Sequence, residues 1–162
     1  RADRESVKAR KTAQQFVESC SKEDFILFLV SGGGSSLLSP PDKITLDEKK
    51  QVTKLLLKSG ATIDEFNSVR KHLSRIKGGK LVKNMQSDAC ALIMSDVLTN
   101  NLSVISSGCT YNDNTTFSDA IKVITKYSLT KKLPKKVITH LKHGLKMQIA
   151  RPNRVKDRKS VV

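Results

Sequence analysis

The sequence predicts an α/β domain in which a mostly parallel sheet carries helices on its faces. Short apolar runs alternate along the chain with capped, helix-periodic segments, and each apolar run empties into a polar loop. Length agrees: 162 residues suffice for one domain with a real core, since domains commonly hold roughly 100–150 residues.

Residues 1–20 mix charges with Val7, Ala13, Phe16 and Val17 at spacings that suit one side of a surface helix. Phe25-Ile-Leu-Phe-Leu-Val30 is apolar at every position, the pattern of a parallel strand covered on both faces. It runs into Ser31-Gly-Gly-Gly-Ser-Ser36. Two helices follow, each announced by a capping box, Thr45 with Glu48 and Thr62 with Glu65, in which side chain and backbone satisfy each other's orphan groups. The first carries Val52, Leu55 and Leu56 and stops at Gly60. The second carries Ile63, Phe66, Val69, Leu73 and Ile76 on one stripe and stops at Gly78-Gly79. Ala89–Met94 reads as a second central strand and Ser103–Ile105 as a short third one. A helix is expected over Thr116–Tyr127, capped by Thr115 or Thr116, and another over Pro134–Lys142 with proline in its first turn. Residues 151–162 have little apolar content and read as an exposed or disordered basic end. No internal repeat is evident.

The formal charge of +15 would suit a phosphate-bearing partner, but its distribution matters more. Residues 131–162 hold eleven Lys or Arg against Asp157 alone, a net of +10, so the body of the chain is only mildly basic. No aromatic residue is interleaved with that basic run as a base-stacking platform would require, so no specific nucleic-acid partner is expected. The longest apolar runs have six residues, far short of the roughly 20 that cross a bilayer, so no membrane partner is expected either. Cys20, Cys90 and Cys109 are odd in number and have no zinc-site spacing; a reducing, cytoplasmic setting is the plain reading. The charged opening residues contain no signal-peptide core, and with no initiator methionine the true beginning is expected to lie upstream.

Ligands in parallel sheets bind beyond the carboxyl ends of the strands, which points to residues 31–36, 95–101 and 106–113. Gly32, Gly33, Gly34, Ser35 and Ser36 directly follow the strongest strand, and glycines let backbone N–H groups approach an anion. The run matches neither the P-loop nor the dinucleotide fingerprint, and a tight connection without ligand is the alternative. Asn67, Arg70 and Lys71 fall together at i, i+3 and i+4, near His72, Arg75 and Lys77, and offer forks and point charges to phosphate or carboxylate. A solvated helix face is the commoner explanation of such a run. Asp96, at a strand end, could hold Mg²⁺ or orient a hydroxyl, or cap a turn. Asp113 is explained by turn and cap chemistry, and His72, His140 and His143 read as surface residues.

Taken together, residues 29–38 (LVSGGGSSLL), Ile44-Thr-Leu46, residues 55–63 (LLLKSGATI), residues 67–81 (NSVRKHLSRIKGGKL) and Met94-Ser-Asp-Val97 resemble the type II glycerate kinases, a family also labelled hydroxypyruvate reductase. The similarity runs in order from about Ser6 to Gly144, and the segment 67–79 is too long to arise by chance. The resemblance implies a three-layer Rossmann-like domain, incomplete here. Residues 1–150 would form part of the N-terminal glycerate kinase domain and 151–162 a basic tail. It implies ATP-dependent phosphorylation of D-glycerate to 2-phosphoglycerate with Mg²⁺, and homodimers as an expected assembly of full-length parents. Gly32, Gly33, Gly34, Ser35 and Ser36 would be the phosphate cradle. Asn67, Arg70 and Lys71 would contact phosphate or the glycerate carboxylate, and Lys77, Gly78 and Gly79 would border the cleft. Asp96 would serve metal or hydroxyl.

Two departures from the family pattern stand out. Thr99-Asn100-Asn101 stands where the family shows Gly-Asp-Asp, and Ser107-Gly108-Cys109-Thr110 where it shows Ser-Gly-Pro-Thr. Neutral amides hold a hard divalent cation less well than carboxylates. The family's upstream glycine-lysine segment and its C-terminal domain have no counterpart here. The expectation is a fragment without turnover, against a nucleotide-binding remnant or, less favoured, a basic nucleic-acid-associated module.

Overall fold

The computed structural model describes residues 4–31, 40–95 and 102–150. In chain order these form α1 (Arg4–Ser19), β1 (Phe25–Val30), α2 (Leu46–Lys58), α3 (Ile63–His72), β2 (Asp88–Ile93), a 3₁₀ turn (Ile105–Ser107), α4 (Phe117–Lys126) and α5 (Lys135–Ala150). The expected α/β class with a parallel sheet is present: β1 pairs with β2 from Phe25 opposite Asp88 to Val30 opposite Ile93. The basic stretch 151–162 and the side chain of Val7 lie outside the described residues.

Three threonines set the helix starts. Thr45, Thr62 and Thr116 each adopt an extended backbone, accept from the N3 amide and receive the N3 carboxylate on their own N–H, from Glu48, Glu65 and Asp119. Glu65 does more than cap. Its Oε2 accepts from the Tyr127 hydroxyl at 2.7 Å and its Oε1 from Lys126 at 2.6 Å, tying the start of α3 to the end of α4. Lys126 first, then Tyr127, holds the Glu65 carboxyl at about 2.

Two cores result. One joins α2, α3, α4 and α5 through Val52, Leu56, Val69, Leu73, Ala120, Ile124, Val137 and Leu141. The other sets α1 and the segment after α3 against the sheet through Val17, Ile26, Ile76, Leu81 and Cys109. Leu73 belongs to the first core and Ile76 to the second, so the chain crosses between them immediately before Lys77-Gly78-Gly79. Full burial of such side chains is worth roughly 1.5–3 kcal/mol each, which makes these two clusters the main source of stability.

Several expectations are corrected. Ser103–Ile105 is no strand: the chain turns there, and Ser106, Ser107 and Gly108 take φ of 49°, 57° and 58° in succession. Val104 takes a right-handed helical backbone and Ile105 opens the 3₁₀ turn, conformations that do not fit a pleated ladder. The last helix extends beyond Lys142 to Ala150, running through Gly144. α3 ends at His72, earlier than the glycines, and Ser74 forms an isolated antiparallel bridge with Pro41. Ile63 is exposed although its stripe-mates Phe66, Val69, Leu73 and Ile76 are buried, since it occupies the first turn beyond the packed contact. β1 is covered on one face only: Ile26 is buried, whereas Phe25, Leu27 and Leu29 are exposed. An all-apolar strand signals apolar surroundings in the finished fold and cannot say which chain supplies them.

Gly144, on α5, faces the ring of Phe117, which stands where a Cβ would be placed. That ring is itself hemmed in by His72, at 4.5 Å between centroids, and His140, at 6.1 Å. Helix propensity favours alanine by about 1 kcal/mol, whereas overpacking a closed site costs about 1–3 kcal/mol. Gly144→Ala is therefore expected to destabilise the domain, read as a lower urea midpoint at unchanged m-value.

Candidate anion-binding site

The charged run of α3 is not a solvated face. Asn67, Lys71 and His72 are buried, Arg70 is half-buried, and Lys77, just beyond, is 1% exposed. The helix turns this face toward α4 and toward the segment 105–113, so its apolar stripe and its basic stripe are both enclosed. His140 is also buried, against the surface reading of the sequence, while His143 is exposed as expected.

Lys71 Nζ donates to Asp113 Oδ1 at 3.3 Å, and His72 Nδ1 lies 3.9 Å from Asp113 Oδ2 while donating to the Ser68 carbonyl at 2.9 Å. Asp113 Oδ1 also accepts from the Thr115 amide and hydroxyl at 3.0 and 2.8 Å. The turn chemistry read from the sequence is thus real, but the same carboxylate is a counterion. Lys77 Nζ donates to Ser107 Oγ at 3.0 Å, and Lys80 Nζ donates to the carbonyls of Lys71 and Ser74, each at 2.8 Å. Lys49, on α2, is 4% exposed and reaches the Pro40 carbonyl at 3.4 Å. Arg70 stacks over Phe66 at 4.9 Å and its Nη1 reaches Asn67 Oδ1 at 3.5 Å, the limit of a hydrogen bond.

Gly78 and Gly79 fix the crossing. Their amides donate to the carbonyls of Ser107 at 3.1 Å and Gly108 at 2.7 Å, and both take positive φ. A Cβ on Gly78 would fall 2.7 Å from that of Asp113, so only glycine lets the strap pass under the carboxylate. The strap lays Lys77 between the left-handed turn and the end of α3.

Five cations, Lys49, Arg70, Lys71, Lys77 and Lys80, therefore share one interior region in which Asp42 and Asp113 are the carboxylates that reach them among the described residues. Burial pushes the Lys77 amine down to about 6, and Arg70 and Lys49 push it the same way. Burial, then Arg70 and Lys80, brings Lys49 down to about 7. Arg70, Lys80 and His72 are also lowered, chiefly by burial. Such a concentration of cationic donors suits a phosphate or carboxylate. Among the described residues no group of three or more His, Cys, Asp or Glu could hold a metal ion.

Of the residues expected at the site, Asn67, Arg70, Lys71, Lys77, Gly78 and Gly79 are brought together. Gly32, Gly33, Gly34, Ser35, Ser36, Asp96, Asn100 and Asn101 lie outside the described residues. Lys49, Lys80, Ser107 and the counterion role of Asp113 were not anticipated. A signal for Lys49 existed: it lies three and seven residues before Val52 and Leu56, on the buried stripe of α2.

The chain belongs to the family described as a domain of unknown function, DUF4147, which matches residues 1–142. It is 42% identical over 148 residues to the glycerate 2-kinase of Pyrococcus horikoshii, covering 91% of this chain and 34% of that protein. A solved structure from Pyrococcus horikoshii superposes with a TM-score of 0.87 at 42% identity, over 90% of this chain and 34% of that one. The crystal structure of glycerate kinase from Thermotoga maritima superposes at 0.80 with 40% identity, over 86% of this chain and 34% of that one. The resemblance to glycerate kinases read from the motifs is borne out, and the chain spans about one third of the length of these relatives. No helix among the described residues is long and apolar enough to cross a membrane.

Proposed function

We propose that this chain supplies the phosphate-holding part of an ATP-dependent glycerate 2-kinase, which transfers the γ-phosphoryl group of ATP to D-glycerate to give 2-phosphoglycerate. The observation that carries this reading is the interior set of Lys49, Arg70, Lys71, Lys77 and Lys80, which gathers cationic donors from two helices and the strap into one region. Phosphoryl transfer depends mostly on positioning and on neutralising the oxygens of the transferred group, which is what such a set provides. The names of the relatives point to the same chemistry. Arg70 and Lys71 would grip phosphate or the glycerate carboxylate, Asn67 would hold Arg70 in place, and Gly32–Ser36 would add backbone donors. Asp96 would hold Mg²⁺, which supplies charge neutralisation between the phosphates. With amides at Asn100 and Asn101, the chain by itself binds Mg-ATP and does not turn over. Its three free cysteines suit a reducing, cytoplasmic setting.

Calorimetry with Mg-ATP and with D-glycerate, followed by a coupled assay for ADP, tests this directly. Saturable Mg-ATP binding without ADP release is expected. Absence of binding at millimolar Mg-ATP would overturn the reading, and turnover by the 162 residues would overturn its inactive part. Salt-sensitive binding to random duplex DNA, indifferent to ATP, would instead favour a nucleic-acid role.

The depressed amines give a further expected result. A bound polyanion favours ammonium over amine, so binding at pH 8 should draw protons onto Lys77 and Lys49. Affinity should fall as pH rises from 6 to 8, and binding enthalpies in two buffers of different ionisation heat should reveal the proton uptake. Stability without ligand runs the other way. The folded value of Lys77 lies near 6 and its ordinary value is 10.5, so within that window the unfolded state holds more protons and stability rises with pH.

A further inference from the structure

We propose that Ser107 is a positioning residue for the anion: its hydroxyl, presented by the left-handed turn 106–108, fixes the Lys77 amine at the place where a bound phosphoryl group meets it. This role rests on the phosphate-holding function proposed above and adds to it a residue that acts through Lys77.

A serine at φ 57° occupies backbone that disfavours every residue except glycine and, less so, asparagine and aspartate. Strain of this kind persists where the surroundings over-determine it, and it gathers where a side chain is used. Both conditions hold at Ser107. Its amide donates to the Val104 carbonyl at 2.8 Å and its carbonyl accepts from the Gly78 amide at 3.1 Å, while the Gly108 carbonyl accepts from the Gly79 amide at 2.7 Å. The preceding Ser106 hydroxyl donates at 2.8 Å to the carbonyl of Ser31, the residue just past β1. The turn is thereby pinned to the strap and to the end of β1 at once, and the direction of the Ser107 side chain is set by the fold.

That direction leads to Lys77. Its Nζ donates to Ser107 Oγ at 3.0 Å, and both residues are 1% exposed. A lysine stem is long and flexible, so the strap's backbone alone does not place the nitrogen. Arg70 and Lys71 from α3 and Lys49 from α2 face the amine as cations and disfavour its ammonium, while Cys109, in the segment after the turn, acts in the opposite sense. A hydroxyl suits this position. It accepts from an ammonium and donates to a neutral amine, so it keeps the nitrogen in place through the gain of a proton that a bound polyanion brings about. A carboxylate there would hold the ammonium more tightly and would repel the anion.

A double-mutant cycle tests this role, read by calorimetric titration of the 162-residue chain with Mg-ATP near pH 6 and by a urea midpoint for each variant. Ser107→Ala should weaken binding about tenfold in the wild-type chain and less than about twofold in the Lys77→Met chain, where there is no amine to hold. Ser107→Gly removes the same hydroxyl but suits a φ of 57°, so it should be more stable than Ser107→Ala and lose the same affinity. A merely structural role would make affinity follow stability instead. Because the hydroxyl favours the charged form of Lys77, the fall of affinity with rising pH should begin about half a pH unit lower in Ser107→Ala. Equal losses from Ser107→Ala with and without the Lys77 amine would overturn the proposal, as would affinity restored in Ser107→Gly. Wild-type binding untouched by Ser107→Ala would overturn this role alone, whereas a wild-type chain that fails to bind Mg-ATP would overturn the phosphate-holding function and this role with it.

Discussion

Asp113→Ala is expected to destabilise the domain by about 3–5 kcal/mol, the usual cost of removing one partner from a buried ion pair. The Asp113 side chain is 11% exposed and that of Lys71 is 6% exposed, so water can do little to replace the lost carboxylate. Thr115 loses both its amide and hydroxyl acceptor in the same step, which unravels the turn that leads into the Thr116 cap of α4. Asp113→Asn keeps that turn and removes only the charge, so it should recover part of the loss. Domains are commonly stable by about 5–15 kcal/mol, and the alanine variant should therefore unfold at markedly lower urea. A change below about 0.5 kcal/mol for Asp113→Ala would show that the cation cluster is balanced by other groups.

Lys77→Met is expected to weaken Mg-ATP or pyrophosphate binding by about 10- to 100-fold near pH 6, the equivalent of one charged hydrogen bond of about 1.5–3 kcal/mol. Methionine keeps the length and flexibility of the stem that is buried here, so the fold should persist. The difference from wild type should shrink toward pH 9, because an amine pushed down to about 6 must be recharged at growing cost before it can serve an anion. That pH dependence separates an electrostatic role from simple repacking, which would weaken binding equally at every pH. Isothermal titration at three pH values is sufficient.

Much of this was legible in the sequence where the signal is local. Thr45, Thr62 and Thr116 begin helices because each lies three residues before an acid that can return its hydrogen bond, and α2, α3 and α4 obey that spacing. The motif run 67–81 located the basic cluster because its residues are close in sequence as well as in space. What escaped is non-local. Nothing in a linear reading says that Asp113 returns across 42 residues to Lys71, or that His140 donates to the His72 carbonyl at 3.0 Å. Lysine is almost never fully buried unless paired, so a linear reading leaves Lys49 and Lys80 in solvent, and only tertiary packing buries the first and half-covers the second. Ser103–Ile105 misled because its composition suits a strand, whereas the glycine at 108 and the need to return to Gly78 and Gly79 bend the chain left-handed instead.

The crossing from Leu73 to Ile76 places the cation cluster on the seam between two separately packed cores. Such cores are natural candidates for separate cooperative units, and the short strap carrying Lys77 is one of the three segments by which the chain passes between them. An anion held at once by Lys49 and Arg70 from the helical side and by Lys77 from the strap would act as a rivet, making the two halves melt together. Heat-capacity scans should then show a broad or divided transition in the empty protein and a single sharp one when the seam is filled, so that cooperativity itself reports occupancy.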